Sequence, residues 1–338
     1  MKRYEKFVFE AEKGIIFEVS EGTSGELIIR ALNIATANVY STNYVNPPIP
    51  EGYKHVCGEW NNGFVIERCS DGSQFVWIPV GSLDSNGTLD GKHFSEKFGR
   101  RNYMNDEFSF AKFSEALNSE MLEQIESVKK YGGFYISRYN ISRSLEGKPQ
   151  SVNIDFYDAK EIASTIEDFE AVLFRYNISG SSEGKPHSVK GAMPWVNIDF
   201  YDAKKIASTI EDNEAVKSHL TFGAEYDSVL EWFIKTEVKT LAEIAEDSTE
   251  WGNYQNTENS PGGVVETGSR EEWCTNNIYN FAGNVGEWTQ EEYESFCRVI
   301  RGDYCYSDGY DYPVAYRLCT TPDCSSCQTG FRATLCIK

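Results

Sequence analysis

The sequence predicts a globular α+β fold with much irregular structure, and three observations support this prediction. Short apolar–polar alternations typical of strands recur along the chain, as at residues 74–80. A few segments have apolar residues at helical spacing, among them residues 116–130. Long polar, turn-rich connections separate these elements, as at residues 237–270. Aromatic side chains, 14% of all residues, would anchor so loop-rich a fold.

Composition divides the 338-residue chain into three parts. Residues 1–45 alternate apolar and polar residues and are predicted to form a small β-rich N-terminal module, which we interpret as an accessory or attachment unit. Residues 46–59 begin with a proline- and glycine-rich cluster and are predicted to be a linker. Residues 60–338 are predicted to form the main domain, with ample material for a hydrophobic core.

The elements of the main domain follow from periodicity and turn signals. In chain order we expect strands over 63–67 and 74–80, a helix over 116–130, a strand over 133–139 and a helix that ends near residue 235. Gly132 and Gly133 supply the stop signal after the first helix.

A tandem duplication interrupts this series. Residues 138–168 recur, with a short insertion, as residues 175–212. A solenoid needs at least three repeats to bury a core, so two near-identical copies indicate a recent duplication. We expect the fold to need one complete copy and the other to be an insertion that protrudes. The sequence leaves open which copy is the insertion.

The charge balance limits the possible partners. Lys and Arg number 32 against 52 Asp and Glu, which gives a net charge of −20. Such a surface repels nucleic acid, and no stretch approaches the ~20 apolar residues of a membrane helix. The N-terminal residues lack the apolar core of a secretory signal, so synthesis in the cytoplasm is expected. Release within a phage virion would also fit this expectation.

The C-terminal residues 303–329 have an unusually narrow composition. They contain five Tyr, four Cys and four Asp, several Ser and Thr, and no Asn, Lys or Glu. Tyr, Asp, Ser, Cys and Thr are all reachable from an Asn codon by changing adenines only. This pattern is typical of a surface varied by adenine-directed mutagenesis and selected for binding. The alternative is an ordinary tyrosine-rich loop.

Several motifs occur in an order that resembles the formylglycine-generating-enzyme family, a variant of the C-type lectin fold. They include FAGNVGEWT at 281–289, RVIRG at 298–302 and GFR at 330–332, and the resemblance covers roughly residues 60–338. It implies buried anchors and arginine struts that hold a loop-rich surface rigid. The scaffold residues expected from it are Trp288, Arg301, Gly302, Arg317, Gly330, Phe331 and Arg332.

Oxidases of that family bind copper through two cysteines about five residues apart, just after an Arg-Gly-Gly-Ser segment. Here the corresponding segment contains Cys305, the residue five positions later is Tyr310, and the next cysteine is Cys319. The cysteine pair is missing, so the chain is predicted not to be an enzyme. A copper-dependent formylglycine-generating or related oxidase remains the alternative.

The C-terminal framework is more similar to the variable proteins of diversity-generating retroelements, in which adenine-mutated reverse transcripts diversify the residues between Arg-Gly and Gly-Phe-Arg. The resemblance implies a ligand-binding protein that recognises variable proteins or glycans on a cell surface, as in phage or prophage receptor binding. It also explains the clustered cysteines as products of codon change, whereas Asp303 stands where glycine is usual. The positions expected on the variable face are Tyr304, Cys305, Tyr306, Ser307, Asp308, Tyr310, Asp311, Tyr312, Leu318, Cys319, Thr320, Thr321, Asp323, Cys324, Ser325, Ser326 and Cys327.

Other chemistry has little support in the sequence. No nucleophile elbow or nucleotide-binding glycine motif occurs, and no catalytic residue is assigned. Cys324 and Cys327 could be thiols, a disulfide or part of a zinc site, although a second cysteine pair is missing. No cofactor is expected beyond a structural calcium ion, for which Asn284 and neighbouring carbonyls are candidates. A structural virion protein without ligand recognition is a third possibility, and neither ligand identity nor oligomeric state is encoded in a motif.

Overall fold

The computed structural model describes residues 15–21, 27–33, 47–59, 62–80, 98–144, 184–294 and 296–338. The chain divides into two compact units, Met1–Thr42 and Asn43–Lys338. In the first unit, strands β1 (Ile15–Glu21) and β2 (Leu27–Asn33) pair antiparallel. The rest of the predicted module at residues 1–45 lies outside the described residues.

A six-stranded antiparallel sheet forms the centre of the second unit. Its strands are β3 (Tyr53–Cys57), β4 (Val65–Arg68), β5 (Gln74–Pro79), β7 (Gly133–Ser137), β10 (Val216–Leu220) and β17 (Ala333–Ile337), in the spatial order β10-β17-β7-β5-β4-β3. The strands predicted near 63–67, 74–80 and 133–139 are confirmed as β4, β5 and β7. The predicted linker over 46–59 needs correction, because β3 hydrogen-bonds to β4 as the edge strand of this sheet.

Helices cover both faces of the sheet, because alternate strand residues point to opposite sides. The helices are α1 (Glu107–Phe110), α2 (Ser119–Tyr131), α3 (Phe200–Ser208), α4 (Gly223–Lys235) and α5 (Leu241–Ala245). Val76 and Ile78 of β5 join the core cluster that contains α2 and α4 residues, whereas Phe75 and Trp77 join the cluster that contains α3 residues. Among the described helices, none has the length and apolarity to cross a membrane.

The predicted first helix is confirmed as α2, and its ends show why it forms there. Asn118 Oδ1 accepts a hydrogen bond from the Met121 amide at 2.9 Å, which caps the N-terminus. Gly132 ends the helix in the left-handed conformation, with φ of 80°. Met121 and Val128 lie on the buried side.

A second sheet supports the C-terminal segment. Its strands are β6 (Phe113–Glu115), β13 (Gly286–Tyr293), β14 (Cys297–Arg301), β15 (Leu318–Thr320) and β16 (Thr329–Phe331). The order is β15-β14-β13-β16, and β6 also pairs with β13. The β13–β16 pair is parallel and the other pairs are antiparallel. The strands β11 (Cys274–Thr275) and β12 (Ile278–Tyr279) form a small separate pair.

The described fold uses parts of both duplicated copies. Strand β8 (Ser142–Ser144) comes from the first copy and pairs antiparallel with β9 (Lys185–His187) from the second. Helix α3 also comes from the second copy. Residues 145–183, which separate these parts, lie outside the described residues. One repeat is therefore assembled from the start of the first copy and the end of the second.

Candidate functional site

Two arginines tie the first half of the C-terminal segment to helix α4. Arg301 at the end of β14 donates to Asp227 Oδ1 at 2.8 Å, and Arg317 donates to the other oxygen of the same carboxylate. Arg317 Nε also donates to Glu291 Oε1 at 2.8 Å. Burial opposes ionisation of Asp227, but Arg301 and Arg317 outweigh it and hold the pKa of that carboxyl below its usual value. The residues between the arginines thus form a loop fixed at both ends.

A third arginine fixes the end of the segment. Arg332, fully buried between β16 and β17, donates from Nε to Glu287 Oε1 at 2.7 Å and from Nη1 to the Ser137 carbonyl at 2.9 Å. Burial raises the pKa of Glu287 to about 7, and Arg332 and Asn140 act against this rise. This buried pair joins β13 to the end of the C-terminal segment 303–329.

The other predicted scaffold residues also lie inside the protein. Trp288 and Phe331 are at most 1% exposed, and Trp288 Nε1 donates to the Ile198 carbonyl at 3.0 Å. Gly330 lies so close to the Trp195 carbonyl that an added Cβ would be 3.0 Å from its oxygen. Gly302 has a φ of 81°, which favours glycine.

The chain reverses immediately after β14. Asp303 follows Gly302 and also has a positive φ, 53°. Its Oδ1 accepts from the Tyr304 amide at 2.9 Å and from Ser307 Oγ at 3.0 Å. Burial raises the pKa of Asp303 to about 6, and these two hydrogen bonds act against the rise. Asp303 is therefore part of the loop's internal structure.

The loop then packs against the segment that follows α5. The Ser248 amide donates to the Gly309 carbonyl at 3.0 Å, and the Gly309 amide donates to Asn256 Oδ1 at 3.2 Å. Asn256 Nδ2 in turn donates to Asp308 Oδ1 at 2.7 Å. A Cβ at position 309 would lie 2.7 Å from the Thr249 amide, so this approach requires glycine. These contacts fix the loop backbone.

Three tyrosines project from this fixed loop. Tyr306, Tyr310 and Tyr312 are 48%, 66% and 39% exposed. The ring of Tyr312 contacts the half-buried Tyr316 edge to face, with ring centroids 5.1 Å apart. Tyr304 is also half-buried. The sequence predicts four anchoring rings, those of Tyr304, Tyr306, Tyr310 and Tyr312, and all of them except Tyr304 are exposed.

Three residues predicted on the face point inward instead. Cys305 is fully buried, and burial raises the pKa of its thiol to about 12, with Cys327 contributing to the rise. Ser307 is 7% exposed because its hydroxyl turns in toward Asp303. Leu318 packs against the core on the α3 side of the sheet. These three residues support the surface from below.

The second half of the segment packs on the chain before α3. Strand β15 pairs with β14, and a turn follows in which the Cys324 amide donates to the Thr321 carbonyl at 3.0 Å. The Phe200 amide donates to the Pro322 carbonyl at 3.0 Å, and the Asn197 amide donates to the Ser326 carbonyl at 2.9 Å. This half therefore rests on residues of the second duplicated copy.

Exposure within residues 303–329, all of which are described, is confined to a few residue types. The exposed ones, which we call the variable surface after the expectation from the sequence, are Tyr306, Tyr310, Asp311, Tyr312, Thr321, Asp323, Cys324 and Ser325. Every one of them is a Tyr, Asp, Thr, Cys or Ser. Residues of all other types in this segment are buried or half-buried, namely Gly309, Pro313, Val314, Ala315, Arg317, Leu318, Pro322 and Gln328.

The side chain of Asn284, the candidate calcium ligand, is hydrogen-bonded to other groups of the protein. Asn284 Oδ1 accepts from Asn253 Nδ2 and from the Val265 amide, both at 3.0 Å, so its lone pairs are used within the protein. Asn284 does not fit the expected calcium ligand. No group of three or more His, Cys, Asp or Glu placed to hold a metal occurs in the described ranges. Cys324 and Cys327 are not joined by a disulfide.

The carboxylates that hold the arginines were not anticipated from the sequence. Asp227 and Glu291 are both fully buried, and Asp227 lies in a helix whose other residues are mostly apolar. A charged residue on the apolar side of a predicted helix is the signal that could have identified Asp227. Glu291 lies in a strand of mixed polarity and offered no such signal.

The sequence match identifies the family. Residues 65–336 match the sulfatase-modifying factor enzyme 1-like domain. The chain belongs to this family. Together with the α+β architecture, the match confirms the predicted formylglycine-generating-enzyme-like fold. No curated protein sequence matches the chain.

Similar solved structures include both variable and other proteins. Treponema denticola variable protein 1 shares 14% identity at a TM-score of 0.38, over 61% of this chain and 85% of that one. CarF shares 13% sequence identity with this chain at a TM-score of 0.43, and the match covers 79% of this chain and 99% of CarF. PvdO from Pseudomonas aeruginosa shares 15% sequence identity with this chain at a TM-score of 0.41, and the match covers 80% of this chain and 97% of PvdO.

Proposed function

We propose that this member of the sulfatase-modifying factor enzyme 1-like family is a ligand-binding protein whose variable surface is diversified by a retroelement to recognise variable partners. The observation that carries the proposal is the separation by exposure within residues 303–329. The exposed residues are all Tyr, Asp, Thr, Cys or Ser, which adenine changes in Asn codons can produce, whereas the Gly, Pro, Val, Ala, Arg, Leu and Gln residues of the segment are buried or half-buried. An ordinary surface loop would expose lysine, glutamate and asparagine as well.

The chemistry of the variable surface suits recognition. Tyrosine supplies large, rigid contact area at low entropic cost, and serine, threonine and aspartate add adaptable hydrogen bonds. The loop that carries Tyr306, Tyr310 and Tyr312 is fixed by Ser248 and Asn256, so the rings are positioned in advance. Preorganised anchors of this kind are typical of binding surfaces.

Two libraries test the proposal. In the first, the eight variable-surface codons are replaced by adenine-mutated Asn codons; in the second, the same codons replace eight buried or half-buried positions of the segment. We expect most members of the first library, and few of the second, to resist proteolysis as wild type does, because only the frame contributes packing. Equal loss of folding in both libraries would contradict the proposal, as would a gene neighbourhood without a reverse transcriptase and a near-copy of the C-terminal coding segment.

A copper-dependent oxidase is the second candidate, because family members include an enzyme by name. Its expected cysteine pair is Cys305 with a cysteine five residues later, and that position holds the 66% exposed Tyr310. The raised pKa of Cys305 also disfavours the thiolate that metals bind. Cu(I) titration and oxidation of a cysteine-containing sulfatase peptide should both be negative. Stoichiometric copper binding with turnover would favour the oxidase instead.

We place this recognition, as part of the same proposal, in a phage or prophage setting. The separate unit Met1–Thr42 would then be the attachment module, and the partner a protein or glycan on a cell surface. A structural virion role without recognition would be supported if tyrosine substitutions left attachment to cells unchanged.

A further inference from the structure

We propose that the part of the variable surface formed by Tyr306, Tyr310, Asp311 and Tyr312 fits a cationic protein surface, one that presents lysine or arginine. This inference rests on the proposed function and names the chemistry of the partner. Its basis is the combination of exposed aromatic rings with an adjoining segment of net negative charge, which we call the rim.

The loop and its support have charge of one sign. Residues 302–316 contain no lysine or arginine, and besides the buried Asp303 they carry the half-buried Asp308 and the exposed Asp311. The segment on which the loop packs, residues 240–269, contains six acidic residues and no basic one. Five of those six are exposed: Glu246, Asp247, Glu250, Glu258 and Glu266. The hydrogen bonds from Ser248 and Asn256 to the loop bring these two acidic segments together.

The nearest cations in the sequence do not neutralise this rim. Arg301 and Arg317 are directed inward and pair with Asp227. Lys239 pairs with Glu243 at 3.2 Å, with its Nζ 4.8 Å from the centre of the Trp251 ring. Arg270, at the other end of the acidic segment, lies 3.6 Å from Glu272 and also donates to the Asn259 carbonyl at 3.0 Å, so it offsets only part of the charge at that end. The charge presented by the rim is thus negative.

Adenine mutagenesis of Asn codons could also have placed a positive charge at these positions. Adenine changes in an Asn codon can also give arginine, because CGC and CGT differ from AAC and AAT at the two adenines, whereas aspartate needs one change. Among the eight residues of the variable surface two are Asp and none is Arg. A surface selected for an anionic partner would be expected to retain arginine, which binds carboxylates and phosphates in bidentate fashion.

Cations fit both parts of this surface. Lysine ammonium and arginine guanidinium groups bind over tyrosine faces and pair with carboxylates. A neutral glycan would use the tyrosine rings and hydroxyls but would gain nothing from the acidic rim. Complementary charge speeds association, and the affinity it gives falls as salt is added. The affinity that comes from stacking of rings on a neutral glycan does not depend on salt in this way.

A displayed library of random cyclic peptides, selected on the immobilised full chain, tests the inference. We expect the selected peptides to be enriched in Lys and Arg over the starting library. Affinity should fall about tenfold or more when NaCl is raised from ~50 to ~500 mM. The Asp311→Asn, Glu250→Gln double variant should bind these peptides about three- to tenfold more weakly. The Glu126→Gln, Glu214→Gln variant removes the same charge at exposed positions elsewhere and should bind as wild type does.

The outcomes separate this inference from the proposed function. The Tyr306→Ala, Tyr310→Ala, Tyr312→Ala variant should keep its thermal unfolding profile and lose binding. If that variant folds and binds normally, the proposed function fails. If it loses binding but the selected peptides lack basic residues, or salt has no effect, only the cationic partner is wrong. Salt-independent binding to a neutral glycan array, abolished by the tyrosine changes, would overturn the inference in favour of a glycan.

Discussion

Asp303 combines a positive φ with burial of a charged side chain. Its positive φ favours glycine or asparagine, and the residue is only 4% exposed. Burial raises its pKa to about 6. Between the unfolded value near 4 and about 6, the folded protein therefore holds a proton that the unfolded chain has lost. The contribution of this group to stability is present at low pH and is lost as pH rises through about 6.

Asp303→Asn should therefore stabilise the protein above pH 6. The amide keeps an oxygen for the Tyr304 and Ser307 hydrogen bonds, tolerates the left-handed backbone and carries no charge. We expect a gain of up to about 3 kcal/mol at about pH 8 and little change at about pH 4. Urea unfolding at both values measures this difference. The exposed Asp311→Asn is the matched control and should show no such pH dependence; a loss of stability for Asp303→Asn at both values would contradict the argument.

The composition of the segment predicted that tyrosines would be exposed, but it did not predict which neighbouring side chains point inward. Tyr306, Tyr310 and Tyr312 are accessible, as composition suggested. Cys305 and Ser307 alternate with these tyrosines and are buried. Their direction depends on the chain reversal at Gly302 and on contacts with Asn284 and Asp303, which residue types alone do not specify.

At the scale of elements, the buried pair Arg332–Glu287 joins two strands that are distant in sequence. Glu287 lies in β13 opposite Gly330 of β16, and β13–β16 is the parallel pair of the second sheet. Both side chains are at most 2% exposed. Removal of one partner would leave a charge buried without its counter-ion.

Arg332→Met should destabilise the protein by about 3–5 kcal/mol. Without Arg332 the already raised pKa of Glu287 rises further, so protonation relieves part of the cost. The loss should thus be larger at about pH 8 than at about pH 5.5, as measured by urea unfolding. Arg332→Met combined with Glu287→Leu should recover most of the stability and remove the pH dependence. A double variant as unstable as the single one would show that packing, rather than the unpaired charge, is responsible.

Periodicity and turn signals predicted the regular elements but not their boundaries with loops. Strands β4, β5 and β7 and helix α2 carry strong local signals, including the Gly132 stop. Strand β3 was missed because the preceding prolines indicate a linker, whereas its pairing with β4 is a tertiary contact. The supporting role of residues 247–263 was also missed, since it depends on side chains such as Asn256 that meet the loop only in the folded protein.

At the scale of the molecule, the duplication can be removed by one deletion. Ser144 of β8 pairs with Lys185 of β9, although residues 145–184 separate them. Deleting residues 145–181 would leave Ser182, Glu183 and Gly184 as a three-residue connection. Gly184 already has a φ of 120°, which suits a short hairpin loop that ends in glycine.

We expect this deletion variant to fold, with stability unchanged or raised by up to about 2 kcal/mol, because far fewer residues then connect β8 to β9 and the entropic cost of bringing the two strands together falls. Thermal and urea unfolding provide the measurement. Deletion of residues 176–212 removes the same number of residues but takes β9 and α3, and should abolish folding. If the first variant fails to fold while a tagged full-length chain does fold, residues 145–181 contribute to the core.

The hydrogen bonds from Ser248 and Asn256 to the loop have a kinetic consequence. Because the backbone under the tyrosines is fixed before any partner arrives, binding orders little of the chain and need not wait for a conformational change. Changes among uncharged residues at the exposed positions would then leave encounter rates nearly constant. Affinity would be tuned through the lifetime of the complex, so that each new surface sequence alters how long a partner is held rather than how fast it is found.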